Sequence, residues 1–130
     1  MKMNAALAAL SGLSQETRLA IFRLLVQRGP EGLPAGKIGE RLGLPAATLS
    51  FHLAHLEQCG LLRSQRAGRM IIYSADYATM NSLMTYLTEN CCGGDPAACA
   101  PGVCDVSIAA EPRARKSRAL ATSVRARRRA

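Results

Sequence analysis

Apolar residues recur at helical spacing through most of the first ninety positions and switch only once, after Gly60, to two short strand-like runs. Ala5, Ala6, Leu7, Ala8, Ala9 and Leu10 mark a first helix. Ser14 is placed to cap a second, from about Gln15 to Arg28, where Leu19, Ile21, Phe22, Leu24, Leu25 and Val26 cover most of the circumference and predict burial on several sides. Gly29-Pro30-Glu31-Gly32 interrupts the chain, and Leu33, Ile38 and Leu42 then mark a short helix that stops at Gly43. Pro45 opens the fourth helix. In it Leu49, Leu53 and Leu56 form one inward stripe, which predicts that Thr48, Phe51, His52 and His55 lean outward. Leu61 to Arg66 and Met70 to Ser74 read as a hairpin around Ala67-Gly68-Arg69. Asp76 caps a last helix carrying Met80, Leu83, Met84 and Leu87, which Asn90, Gly93, Gly94 and Pro96 bring to an end.

The predicted fold class is therefore mainly α with a β-hairpin (α+β). Two short helices joined by Gly43-Leu44-Pro45 fit a helix-turn-helix, and the hairpin is its wing. The predicted DNA-facing set on the recognition helix is Ala47, Thr48, Ser50, Phe51 and His52. Thr48, Ser50 and His52 are short donors and acceptors of the kind that read base edges, and Phe51 is an apolar group able to meet a thymine methyl. Arg63, Arg66 and Arg69 lie on or beside the hairpin turn, where cations meet phosphate or a minor groove.

Charge refines this picture. Nine of the 17 Lys and Arg and eight of the nine Asp and Glu fall in residues 1 to 110, so the globular part is close to neutral. The other eight basic residues crowd into residues 111 to 130 beside Glu111, a tail with generic attraction to polyanions. DNA binding by the globular part thus depends on local placement, not on net charge. Residues 1–90 are expected to form the DNA-binding and dimerisation domain, 91–104 a cysteine-rich segment that binds a metalloid, and 105–130 a basic, disordered tail.

Leu13-Ser14-Gln15-Glu16-Thr17-Arg18-Leu19-Ala20-Ile21-Phe22-Arg23-Leu24-Leu25, followed by Leu49-Ser50-Phe51-His52-Leu53-Ala54-His55-Leu56-Glu57-Gln58-Cys59-Gly60-Leu61-Leu62, resembles the winged-helix repressors of the ArsR/SmtB family over residues 5 to 90. The resemblance implies a homodimer joined by its first and last helices, a palindromic operator, and repression relieved by a metal or metalloid. Two departures stand out. The stretch Ala35 to Leu42 has no cysteine pair, and residues 76 to 90 contain no histidine, so two ligand sites known in the family are absent.

Sensing then falls to Cys91, Cys92, Cys99 and Cys104, four of the five cysteines in fourteen residues. Neighbours on a helix point about 100° apart, so Cys91 and Cys92 face one ion only if the helix has ended. Gly93 and Gly94 allow the turn, Pro96 prevents the helix from resuming, and Cys99 can fold back. Three thiolates suit pyramidal trivalent arsenic or antimony. A variant of the family with a cysteine pair and a third cysteine beyond the last helix resembles this segment, which makes arsenite the leading inducer over antimonite or methylarsenite. Cys104 is the candidate fourth thiolate of a zinc or cadmium site. Cys59 stands apart and reads as a small buried hydrophobe.

Two rival readings accompany the repressor. The first is a zinc, cadmium or thiol-redox sensor. The second, from another class, is a thiol oxidoreductase or arsenate reductase; against it, there is no C-x-x-C beside a βαβ pattern and no oxyanion cradle at a strand-to-helix loop. No catalysis is expected. An odd number of cysteines confined mostly to one loop suits a reducing cytoplasm, and no apolar run approaches bilayer length. The short apolar run after Met1-Lys2 reads as the first helix, not a leader.

Overall fold

The computed structural model describes residues 1–95, so the expectations for Cys99, Cys104 and the basic tail lie outside the described residues. Met1–Leu83 form one compact unit, and the chain from Met84 onward belongs to a second. Five helices, α1 (Met3–Leu13), α2 (Glu16–Arg28), α3 (Ala35–Leu42), α4 (Ala46–Gln58) and α5 (Tyr77–Thr88), are joined by three strands, β1 (Leu33–Pro34), β2 (Leu62–Ala67) and β3 (Met70–Ala75). This is a winged helix-turn-helix, with the wing formed by β2 and β3. No helix among the described residues is long and apolar enough to cross a membrane.

Small residues let α1 pack closely. Ala6, Ala9 and Gly12 are its buried positions. A Cβ on Gly12 would come within 3.1 Å of both the Cys59 sulfur and a Leu61 methyl, so α1 lies directly against the end of α4. The α2 boundary differs from expectation. Gln15, not Ser14, is the N-cap, its side-chain oxygen accepting the Arg18 N–H at 2.9 Å. Ser14 closes α1 instead, its hydroxyl donating to the Ser11 carbonyl at 2.8 Å. The buried face of α2 is also narrower than its apolar content suggests: Ile21, Phe22 and Leu25 are buried, whereas Leu19 is 42% exposed.

In α4 the expected stripe holds, with Leu49, Leu53 and Leu56 all buried. The sheet has one strand more than the sequence pattern implies. β1 pairs antiparallel with β3, Leu33 opposite Tyr73 and Pro34 opposite Ile72, giving the order β1-β3-β2. Two residues, one of them proline, carry no period that could have announced a strand. In the hairpin Leu62 faces Ala75 and Ala67 faces Met70, which leaves Gly68 and Arg69 as a two-residue turn with Gly68 at φ +63°. Asp76 caps α5 as expected, accepting the Thr79 N–H at 3.0 Å, and the Tyr77 hydroxyl donates to the Val26 carbonyl at 2.9 Å.

Two glycines with nearly the same φ separate strain from crowding. Gly32 (φ +69°) has the Tyr73 carbonyl and Ile72 against its missing side chain, whereas Gly43 (φ +66°) has open space. Gly43→Ala should lose about 1 kcal/mol from the left-handed backbone alone. Gly32→Ala should lose about 3 kcal/mol, because β3 must also move. Urea unfolding of both variants checks this; equal losses would show that the β1–β3 contact yields freely.

Candidate functional site

The recognition element starts at a tight turn. Gly43 is left-handed, the Leu44 N–H donates to the Gly39 carbonyl at 3.0 Å, and Pro45 supplies extended backbone before Ala46 begins α4. A Cβ on Gly39 would sit 3.3 Å from both the Leu44 carbonyl oxygen and a Leu49 methyl, so α3 lies close against the turn backbone and the Leu49 side chain of α4. With Leu49, Leu53 and Leu56 facing the core, Ala47, Thr48, Ser50 and Phe51 are all exposed on the first two turns. Phe51 is the most prominent, 66% exposed.

His52 departs from the outward position expected of it. It is only 9% exposed. Its Nδ1 lies 3.5 Å from the Arg18 guanidinium, and Arg18 in turn donates Nε–H to the Gly12 carbonyl at 2.8 Å. Burial holds the His52 pKa below its usual 6.5, and the cationic Arg18 and His55 push in the same direction. The imidazole is thus kept neutral and acts as an acceptor beneath the recognition helix, with the Phe51 ring edge-on against it at 5.5 Å and 66°. Arg18 was not singled out from sequence as a site residue; a half-buried arginine facing a histidine is visible only once the helices are packed.

The wing also redistributes its charges. Arg63 is committed to Asp76, Nε to carboxylate oxygen at 2.9 Å. Burial alone would raise the Asp76 pKa, but the Thr79 N–H and Arg63 outweigh it and hold the carboxyl below the usual range. Arg63 therefore braces the junction of β2 and α5. Arg66 and Arg69 are exposed near the hairpin tip, and a bond from the Ser64 hydroxyl to Glu57 ties the wing to α4.

Beyond α5 lies the cysteine turn. The regular helix stops at Thr88, whose hydroxyl donates to the Met84 carbonyl at 2.7 Å. Asn90 is left-handed (φ 55°), and Cys91–Gly94 form a single tight turn in which Cys92 (φ 57°) and Gly93 (φ 68°) are left-handed too. This brings the Cys91 and Cys92 sulfurs to 3.6 Å. Cys92 is exposed and Cys91 half-buried. The hydrogen bond to Cys91 raises the Cys92 thiol pKa above 9.0, assisted by desolvation and by the negative charge of Cys91 and Asp95. Among the described residues no three His, Cys, Asp or Glu side chains converge on one point. Cys59 is half-buried against α1.

Comparison with known proteins places this geometry among DNA-binding regulators. A helix-turn-helix domain family matches residues 13–65. The HTH-type transcriptional regulator YgaV of Escherichia coli K12 is 34% identical over 87 residues, 67% of this chain and 86% of the relative. Among solved structures, an ArsR-like transcriptional regulator from Rhodococcus sp. RHA1 superposes with a TM-score of 0.61 at 27% identity, covering 84% of this chain and 95% of that one. HlyU from Vibrio cholerae N16961 does so with a TM-score of 0.54 at 28% identity, over 67% of this chain and 97% of that one.

Two outcomes follow from the site. Because the folded pKa of His52 lies below the unfolded one, the unfolded chain takes up its proton first on acidification. The stability that the neutral imidazole confers is complete above about pH 6.5 and declines as pH falls from there toward the folded value. Urea midpoints between about pH 7.5 and 5 should thus fall more steeply for the parent than for His52→Gln; parallel curves would contradict a buried neutral imidazole. On DNA, Ser50→Ala should cost about 1–3 kcal/mol on a specific duplex and little on random sequence, whereas Arg69→Ala should weaken both and lower the salt slope by about one. Identical profiles for the two variants would reverse the assignment.

Proposed function

The chain belongs to the ArsR/SmtB family of winged helix-turn-helix transcriptional regulators, and from that premise we propose that it is a cytoplasmic, homodimeric repressor of arsenic-responsive genes. It binds operator DNA when empty and leaves it when trivalent arsenic is held by Cys91, Cys92 and Cys99. Antimonite and methylarsenite are ligands of the same class. The relatives are regulators, and the chain is a regulator, not an enzyme.

The observation that carries the arsenic reading is the close approach of the Cys91 and Cys92 sulfurs, 3.6 Å apart in a left-handed turn directly after α5. Two adjacent soft donors on one side of the chain suit two of the three bonds of a pyramidal centre, and Cys99 follows in sequence as the third. The dimer reading is supported by α1 and α5, each of which leaves apolar residues exposed: Leu7 and Leu10 on the first, Met84 and Leu87 on the last. Release requires that the ligand favour the DNA-incompetent state. A ligand that draws the segment after α5 onto its end acts on one of the two dimer helices, and so on the spacing of the recognition helices.

Proton balance separates the proposed ligand from its rivals. Neutral arsenous acid and three thiols give a trithiolate and three waters, with no net proton released. Zinc or cadmium displaces a proton from each thiol, against the raised Cys92 pKa. The same sulfur approach favours one second reading, a thiol-redox response, in which peroxide would replace arsenite as the releasing agent.

Release from a labelled operator duplex should therefore need the same arsenite concentration from about pH 6 to 8, while zinc, if it acts, should gain about tenfold per pH unit for each proton displaced. Cys91→Ser, Cys92→Ser and Cys99→Ser should each keep DNA binding and lose arsenite release. Cys59→Ser should stay inducible, and Cys104→Ser should shift the response only slightly. Loss of response in Cys104→Ser with Cys99→Ser still inducible would replace the ligand set; release by peroxide but not by arsenite would replace the ligand.

A further inference from the structure

Phe51 is a large aromatic side chain left 66% exposed in the middle of the recognition helix, and the exposed side chains that precede it on that helix are all short. Ala47, Thr48 and Ser50 share its exposed surface, so the ring projects furthest from the helix. One side of the ring meets His52, against whose imidazole it stands edge-on at 5.5 Å, and His52 is held in turn by Arg18, which is anchored on the Gly12 carbonyl. The ring is therefore presented in a braced direction, at a reduced cost in side-chain entropy on binding.

A phenyl ring neither donates nor accepts a conventional hydrogen bond, so it gains from a base edge only by removing apolar surface from water. The major-groove edges of the four base pairs carry one such group, the C5-methyl of thymine. Resting on the operator-binding reading above, we propose that Phe51 makes a pyrimidine C5-methyl group the deciding feature at one position of each operator half-site. Thymine and 5-methylcytosine carry the same methyl at the same edge. Cytosine methylation at that position consequently substitutes for thymine in this contact, and unmethylated cytosine does not.

The test uses the full-length protein and duplexes that it selects from a randomised pool, with affinity read by fluorescence anisotropy at fixed salt. Each thymine of a half-site is replaced singly by deoxyuridine, which removes only the methyl. One position per half-site should lose about fourfold, the transfer value of one methyl group. A 5-methylcytosine·guanine pair there should bind about fourfold tighter than the unmethylated pair. Phe51→Ala, which alters an exposed position, should bind thymine and deoxyuridine equally at that position and respond like the parent elsewhere. A flat deoxyuridine scan with the parent, or a Phe51→Ala protein that still discriminates, overturns the inference while leaving operator binding intact. Absence of any preference for selected over random duplex overturns both.

Discussion

The recognition surface depends on the way Arg18 joins three helices. Its backbone N–H is taken up by the Gln15 cap, its Nε–H by the last turn of α1 at Gly12, and its terminal nitrogen lies against His52 in the middle of α4. A half-buried guanidinium needs acceptors, and a neutral imidazole supplies one only if it is itself kept from protonation. Burial and the cation together do this. The result is an α4 whose inner side is occupied by Leu49, His52, Leu53 and Leu56 and whose first two turns expose Ala47, Thr48, Ser50 and Phe51. A helix that reads DNA has to be rigid underneath and uncommitted on top, and this polar clasp meets the first demand without using any of the exposed residues.

Most of the fold was legible because its signals were local. The α4 stripe, the Gly43 stop, the hairpin turn at Gly68 and the Asp76 cap each follow from a side chain acting within a few residues of itself. His52 was misplaced for an instructive reason. It lies three residues after Leu49 and four before Leu56, so helical geometry puts it on the buried face; only its polarity argued for the outside. The polarity was satisfied by Arg18, thirty-four positions away, which no local pattern contains. Arg63 follows the same logic, its charge taken by Asp76 across the hairpin and not left for phosphate. Leu19 errs in the other direction, an apolar residue at helical spacing that Met1–Leu83 do not cover.

The candidate site divides along the same line. That four cysteines crowd into one short segment needed only the sequence, as did the argument that a regular helix keeps adjacent thiols apart. The means by which they are brought together did not follow from the glycines alone. Asn90 and Cys92, both carrying a Cβ, adopt left-handed backbone before Gly93 and Gly94 are reached. Asparagine tolerates that conformation through its short polar side chain, but cysteine has no such help.

The thiol pair formed by that backbone bears on selectivity. A left-handed cysteine stands about 1–2 kcal/mol above its ordinary conformations, and the thiol pair it creates has a raised proton affinity at Cys92. The turn is already formed without an ion, so only the second bears on binding: a divalent ion has to expel the proton, whereas with trivalent arsenic entering as a neutral hydroxide each thiol proton leaves as part of a water. The half-buried Cys91 sulfur and the exposed Cys92 sulfur thus lie 3.6 Å apart, with the Cys92 thiol held toward its protonated form by the hydrogen bond between them.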